Sequence, residues 1–140
     1  MSQRLRVLLV DDDQTTNFLN KLLLTRLGVT EQVLTAANGE EALRLLAQRC
    51  DELGSCPHLI LLDMNMPVLN GLAFLEAYAQ LPAAMQHAIV IVMLTTSLHP
   101  VDLARAQRLP IAGFLNKPLT EEKVAGLLQQ HFASLHPNVS

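Results

Sequence analysis

With 140 residues, half of them apolar and 16% charged, the chain is long enough to bury one core and too apolar to stay unfolded. A formal net charge of -3 leaves no basic footprint, so direct binding to nucleic acid is not expected. No apolar run approaches the roughly 18–20 residues that cross a bilayer, and the N-terminus lacks a signal peptide's apolar segment, so a cytoplasmic protein with no membrane contact is expected.

Leu5 to Val10 reads as a first strand, and the spacing behind it predicts a helix over Gln14 to Leu27. Leu19, Leu22, Leu23 and Leu27 form its expected core face, flanked by Phe18 and Leu24, with Asn17, Asn20 and Lys21 opposite. Gly28 supplies the stop. Gln32 to Ala36 reads as a short strand at the sheet edge. Asn38 then caps a second helix, with Glu41 as the reciprocal partner of a capping box. Ala42, Leu43, Leu45 and Leu46 carry that helix to about Cys50, and Asp51 to Pro57 reads as a loop. The two cysteines, Cys50 and Cys56, lack the further ligands of a zinc site. Free thiols in a reducing compartment are the expectation, with a disulfide across the loop as the alternative.

His58 to Leu62 is a wholly apolar run, too short for a buried helix, and reads as a strand covered on both faces. It ends in Asp63, and a loop from Met64 to Asn70 follows. A third helix, about Gly71 to Gln80, packs Leu72, Leu75 and Tyr78 or Ala79. Ala88 to Leu94 reads as the fourth strand, Pro100 opens a helix to about Leu109, and Ala112 to Leu115 is the fifth strand. Thr120 caps a last helix ending near Ala133, with Glu121 and Glu122 at its positive end. Lys123 stands where a capping box would carry Glu. Strands alternating with helices predict a parallel sheet covered on both faces, in one domain with a short polar tail.

Four strand ends deliver chemistry. Leu5–Val10 runs into Asp11-Asp12-Asp13, the third strand into Asp63, the fourth into Thr95-Thr96-Ser97, and the fifth into Asn116-Lys117-Pro118. Open α/β sheets place their ligands outside such carboxyl ends. Adjacent carboxylates repel unless a cation relieves them, and hard oxygen donors beside a phosphate suit Mg²⁺. Asp63 is positioned as a nucleophile toward phosphorus. Lys117 would neutralise phosphoryl oxygens as a point charge, and the Thr95 hydroxyl would hydrogen-bond one of them. Asp13 also fits a plain cap of the first helix. A cis Lys117–Pro118 peptide would aim the lysine inward, although trans is the commoner form.

These segments resemble the receiver domain of two-component response regulators, the chemotaxis-type single-domain receiver in particular. The resemblance runs from Arg6 to about Gln130, and it supplies the flavodoxin-like strand order 2-1-3-4-5, which the residues alone do not. It implies Asp63 as phosphoacceptor, and Asp11, Asp12 and Asp63 as the carboxylates at the Mg²⁺, Asp12 being the direct ligand of the acidic pair, with the Asn65 carbonyl completing the metal's protein ligands. It implies Lys117 as the phosphate-contacting lysine ahead of a cis proline, Thr95 as the switching hydroxyl and Phe114 as the switch aromatic. Phe114 has no phenolic hydroxyl, so any gating works by packing. Thr96 is larger than the residue this family usually carries beside the switch Thr, which on the resemblance would narrow access to Asp63.

The resemblance further implies a sensor histidine kinase or histidine phosphotransfer protein as donor, contacting Thr15, Thr16 and the loop after Pro118. Output would be a contact with a downstream protein, and possible homodimerisation, through the 100–109 helix, the fifth strand and the last helix. Two alternatives stand beside it. Asp11-Asp12-Asp13-Gln14-Thr15 also reads as the Asp-x-Asp-x-Thr of haloacid-dehalogenase-like phosphatases, with Asp11 as nucleophile and Asp13 as acid/base, but that leaves Asp63 unexplained. A receiver-like scaffold that takes no phosphate is the other.

Overall fold

The computed structural model describes residues 4–52, 56–64, 71–81, 89–95, 104, 108 and 111–132. Five strands, β1 (Leu5–Val10), β2 (Thr30–Ala36), β3 (Leu59–Asp63), β4 (Val90–Thr95) and β5 (Gly113–Asn116), form one sheet. All pairings are parallel and the order is β2-β1-β3-β4-β5, as expected. The helices are α1 (Gln14–Leu27), α2 (Gly39–Leu46), α3 (Gly71–Tyr78) and α4 (Glu121–His131). The helix expected over 100–109 lies outside the described residues, apart from 104 and 108.

Side chains alternate across each strand, and this divides the core in two. Leu8 and Val10, Ile60 and Leu62, Ile91 and Met93 face α2 and α3, where Ala42, Leu46, Phe74, Leu75 and Tyr78 cover them. Val7 and Leu9, Leu59 and Leu61, Val92 and Leu94 face the other way, under Leu24 and Leu27 of α1 and Val124, Leu127 and Leu128 of α4. Covering both faces is what permits uninterrupted apolar strands. Each fully buried Leu or Ile contributes about 1.5–3 kcal/mol relative to exposure. Phe74, which the sequence reading passed over, stacks on Tyr78 with ring centroids 6.0 Å apart.

The expected core face of α1 requires correction. Leu19 and Leu22 are 55% and 52% exposed, as is Phe18 at 61%, while Asn17, Asn20, Leu24 and Leu27 are buried. The reason is polar. The Asn17 amide donates to the main-chain carbonyls of Asp11 (2.9 Å) and Ala36 (3.5 Å), at the ends of β1 and β2. Burying that amide turns the stripe 17-20-24-27 toward the sheet and leaves 18, 19 and 22 outside. Leu23 is half-buried at the boundary and packs against the core.

The second helix changes type inside the span expected to about Cys50, and its helical turns run on to Glu52. After Leu46 the chain widens into a π-helical segment, Ala47–Glu52. Cys50 and Cys56 are joined in a disulfide, which corrects the expectation of free thiols. The widened turn brings Cys50 beside the lead-in to β3, with Cα atoms 4.4 Å apart, within bridging reach. The caps are as expected: Asn38 accepts from the Glu41 N–H at 2.8 Å, and Thr120 from the Lys123 N–H at 3.2 Å. Gly28 ends α1 with φ 72°, the left-handed conformation glycine adopts without strain.

Candidate functional site

Strand parity sets the site. Asp11 continues the alternation of Val7 and Leu9, Asp63 that of Leu59 and Leu61, and Lys117 that of Leu115, so all three leave the sheet on its α1/α4 side. Asp11 and Asp63 are 4% and 5% exposed. The Lys117 ammonium lies 3.0 Å from Asp11 Oδ2 and 3.0 Å from Asp63 Oδ1. Asp12 is exposed beside them, and carboxylate oxygens of Asp11, Asp12 and Asp63 lie within 4.8 Å of one another. Residues far apart in the chain thus meet at the carboxyl ends of β1, β3 and β5.

Lys117 is held from several directions. Its N–H donates to the Thr95 carbonyl at 2.8 Å, and the Lys117–Pro118 peptide is cis. Partial burial pulls its pKa down, but the hydrogen bonds and charges of Asp11 and Asp63 outweigh that and hold it above the usual lysine value. Three carboxylates against one ammonium leave a surplus of negative charge at a rim of hard oxygen donors, which fits a divalent cation.

Asp13 does something else. Its carboxylate accepts from the N–H groups of Thr15 (2.9 Å) and Thr16 (3.4 Å) and from the Thr16 hydroxyl (3.0 Å). Those bonds, the hydroxyl's first, hold its pKa below the ordinary carboxylate value. An aspartate occupied as the cap of α1 is poorly placed as the acid/base of a phosphatase.

Thr95, at the end of β4, is 1% exposed and pairs in register with Asn116. Phe114 is half-buried and packs against the α2/α3 side of the core, in register with Met93. Asn65 and Thr96 lie outside the described residues. Asn17 and Lys123 were not singled out as site residues from sequence. Asn17 fixes the Asp11 carbonyl, and apolar periodicity carries no signal for it, because two of the four buried positions 17, 20, 24 and 27 are polar.

Comparison with known proteins identifies the family. The family described as "Response regulator receiver domain" matches residues 7–129. The chain is 30% identical over 135 residues to a probable chemotaxis protein CheY of Rhizobium etli, covering 96% of this chain and 98% of that one. It also matches longer regulators of which it spans less than half. Among solved structures, a two-component response regulator from Cytophaga hutchinsonii superposes with TM-score 0.83 at 28% identity, over 94% of this chain and 99% of that one. The Mn(2+)-bound form of response regulator Rcp1 superposes with TM-score 0.69 at 27% identity, over 90% of each chain. The chain belongs to the response regulator receiver domain family.

Proposed function

We propose that Asp63 accepts a phosphoryl group from a phosphohistidine on a sensor kinase or phosphotransfer protein, and that the chain acts as a phosphorylation-dependent switch. The observation carrying this is the Lys117 ammonium 3.0 Å from Asp63, inside a trio of carboxylates. An Asp63 oxygen attacks phosphorus in line, the P–N bond to the donor imidazole breaks, and the imidazole leaves with its electron pair. Lys117 meets charge developing on the phosphoryl oxygens without having to reorganise. Asp11, Asp12 and Asp63, with the Asn65 carbonyl, would hold a divalent cation, Mg²⁺ on this reading. When bound, it supplies further neutralisation of the transferring group. The metal-bound relative Rcp1 supports a cation of this charge.

The exposed residues of α1 suit the donor. Phe18, Leu19 and Leu22 form an apolar ridge beside a groove lined by Thr16, Leu19, Asn20, Leu23, Pro118 and Leu119, with Lys117 at its wall. A partner covering that ridge would bring its imidazole to the rim where Asp63 stands. This agrees with the contact expected at Thr15, Thr16 and the loop after Pro118. Thr95 would move toward the new phosphate and Phe114 repack behind it, changing the face made by β5 and α4 for a downstream protein or a second copy.

Incubation with acetyl phosphate and Mg²⁺ tests the reading. A label on the wild type that is lost in Asp63→Asn supports it. A label lost only in Asp11→Asn points to the phosphatase chemistry, and no label points to a scaffold.

A further inference from the structure

The third position of α4 carries a cation where helix electrostatics and the capping box both favour Glu. Lys123 does not turn outward to escape that end. Its ammonium donates to the carbonyl of Asn116 at 2.7 Å and to that of Pro118 at 2.9 Å. These carbonyls flank the Lys117–Pro118 pair, so one ammonium bridges the main chain just before Lys117 and just after it. The clamp has a firm base, because the Lys123 N–H is itself tied to the Thr120 hydroxyl at 3.2 Å.

We propose that Lys123 is a positioning residue for Lys117. On the β4 side the turn is anchored by the Lys117 N–H on the Thr95 carbonyl. On the α4 side it is anchored by Lys123. Between those two anchors the Lys117 side chain sits 3.0 Å from both Asp11 and Asp63. Without the Lys123 ammonium, the two carbonyls pass to water and the turn loses its α4 anchor. Lys117 then spends less time between the carboxylates.

This has two consequences of opposite sign. A phosphoryl group on Asp63 loses a cationic contact, so binding of a phosphoryl mimic weakens. A divalent cation gains, because its competitor for Asp11 and Asp63 has been loosened. General loosening of the fold would weaken both. The inference rests on the phosphoacceptor reading above for the first consequence only.

The test compares wild type, Lys123→Met and Lys123→Arg by NMR titration with Mg²⁺ alone and with beryllofluoride in the presence of Mg²⁺, with the ζ-nitrogen resonance of Lys117 followed throughout. Met keeps the stem and removes the charge; Arg restores a donor. Lys123→Met is expected to bind beryllofluoride about tenfold more weakly, the share of one charge-assisted hydrogen bond, and Mg²⁺ more tightly, with Arg recovering both. Unchanged affinities, or both falling together, overturn the clamp. If the wild type takes no beryllofluoride, the phosphoacceptor reading fails by itself. The clamp is then decided by Mg²⁺ affinity and the Lys117 resonance, and no change in either in Lys123→Met overturns it.

Discussion

The Lys117 ammonium stands 3.0 Å from Asp63 Oδ1, and the same ammonium stands 3.0 Å from Asp11 Oδ2. One cation therefore serves two buried carboxylates, one just past the end of β1 and one at the last position of β3. In Lys117→Met, phosphoryl uptake at Asp63 is expected to slow by on the order of 100-fold, as when one preorganised donor is removed from a charge-stabilising site. Divalent-cation affinity should rise in the same variant. Acetyl phosphate kinetics with a metal titration checks both, and a variant that labels at the wild-type rate sinks the role given to Lys117.

Leu22 and Leu24 separate the two possible phases of α1. Leu24 is 1% exposed and Leu22 is 52% exposed. Leu24→Ala should cost about 2–5 kcal/mol of unfolding free energy, and Leu22→Ala less than about 0.5 kcal/mol. Urea denaturation measures both. The reverse ordering would restore the face predicted from the leucine spacing.

Two groups bound the pH range of stability. His58 is held below its ordinary value of 6.5 by burial, and then by the charge of the Arg6 side chain, while the main-chain N–H of Arg6 donates to its Nδ1 at 3.0 Å. Below pH 6.5 the unfolded chain binds a proton there that the folded chain resists, so stability falls as pH drops. Burial pushes the Tyr78 phenol from 10.0 up to about 12, so above pH 10.0 the unfolded chain sheds a proton that the folded chain keeps, and stability falls again. Urea midpoints across pH should show both limbs, with the acid limb shallower in His58→Gln. Tyr78 is the sole tyrosine, so tyrosinate absorbance appearing near pH 10.0 in the folded protein would contradict its burial.

The Cys50–Cys56 bridge closes a short loop, with a sequence separation of 6. Loop closure of that size contributes about 2 kcal/mol through the unfolded state. Cys50→Ser should lose about that much. In the wild type, alkylation should label two thiols only after reduction; labelling without reductant would show that the bridge does not form.

The sheet was legible because its strands are short apolar runs with turn residues behind them, and each run ends in a chemically distinctive side chain. Asp11, Asp63 and Lys117 could be assembled on paper for that reason, although the strand order came from family likeness. The phase of α1 was not legible. Its leucines are split, with Leu24 and Leu27 inside the buried stripe and Leu19 and Leu22 outside it, and two asparagines, one of them held by strand-end carbonyls, complete the buried face. Periodicity counts apolar residues, so a polar anchor such as Asn17 is invisible to it. The disulfide was hidden for a different reason: two cysteines six residues apart do not say whether they face each other, and the π-helical segment that carries Cys50 has no signature in the sequence. Lys123 stood out as a missing capping-box Glu, but its partners are main-chain carbonyls that no composition reports.

β3 has a covalent staple just ahead of its first residues and a buried carboxylate at its last. Parallel strands rise roughly 3.3 Å per residue, so the two poles are far enough apart for oxidation at one to leave the electric field at the other almost untouched. Durability and responsiveness are then separable traits of a single strand. A lineage could surrender the sulfurs and become more fragile while the surroundings of Asp63 stay as they are.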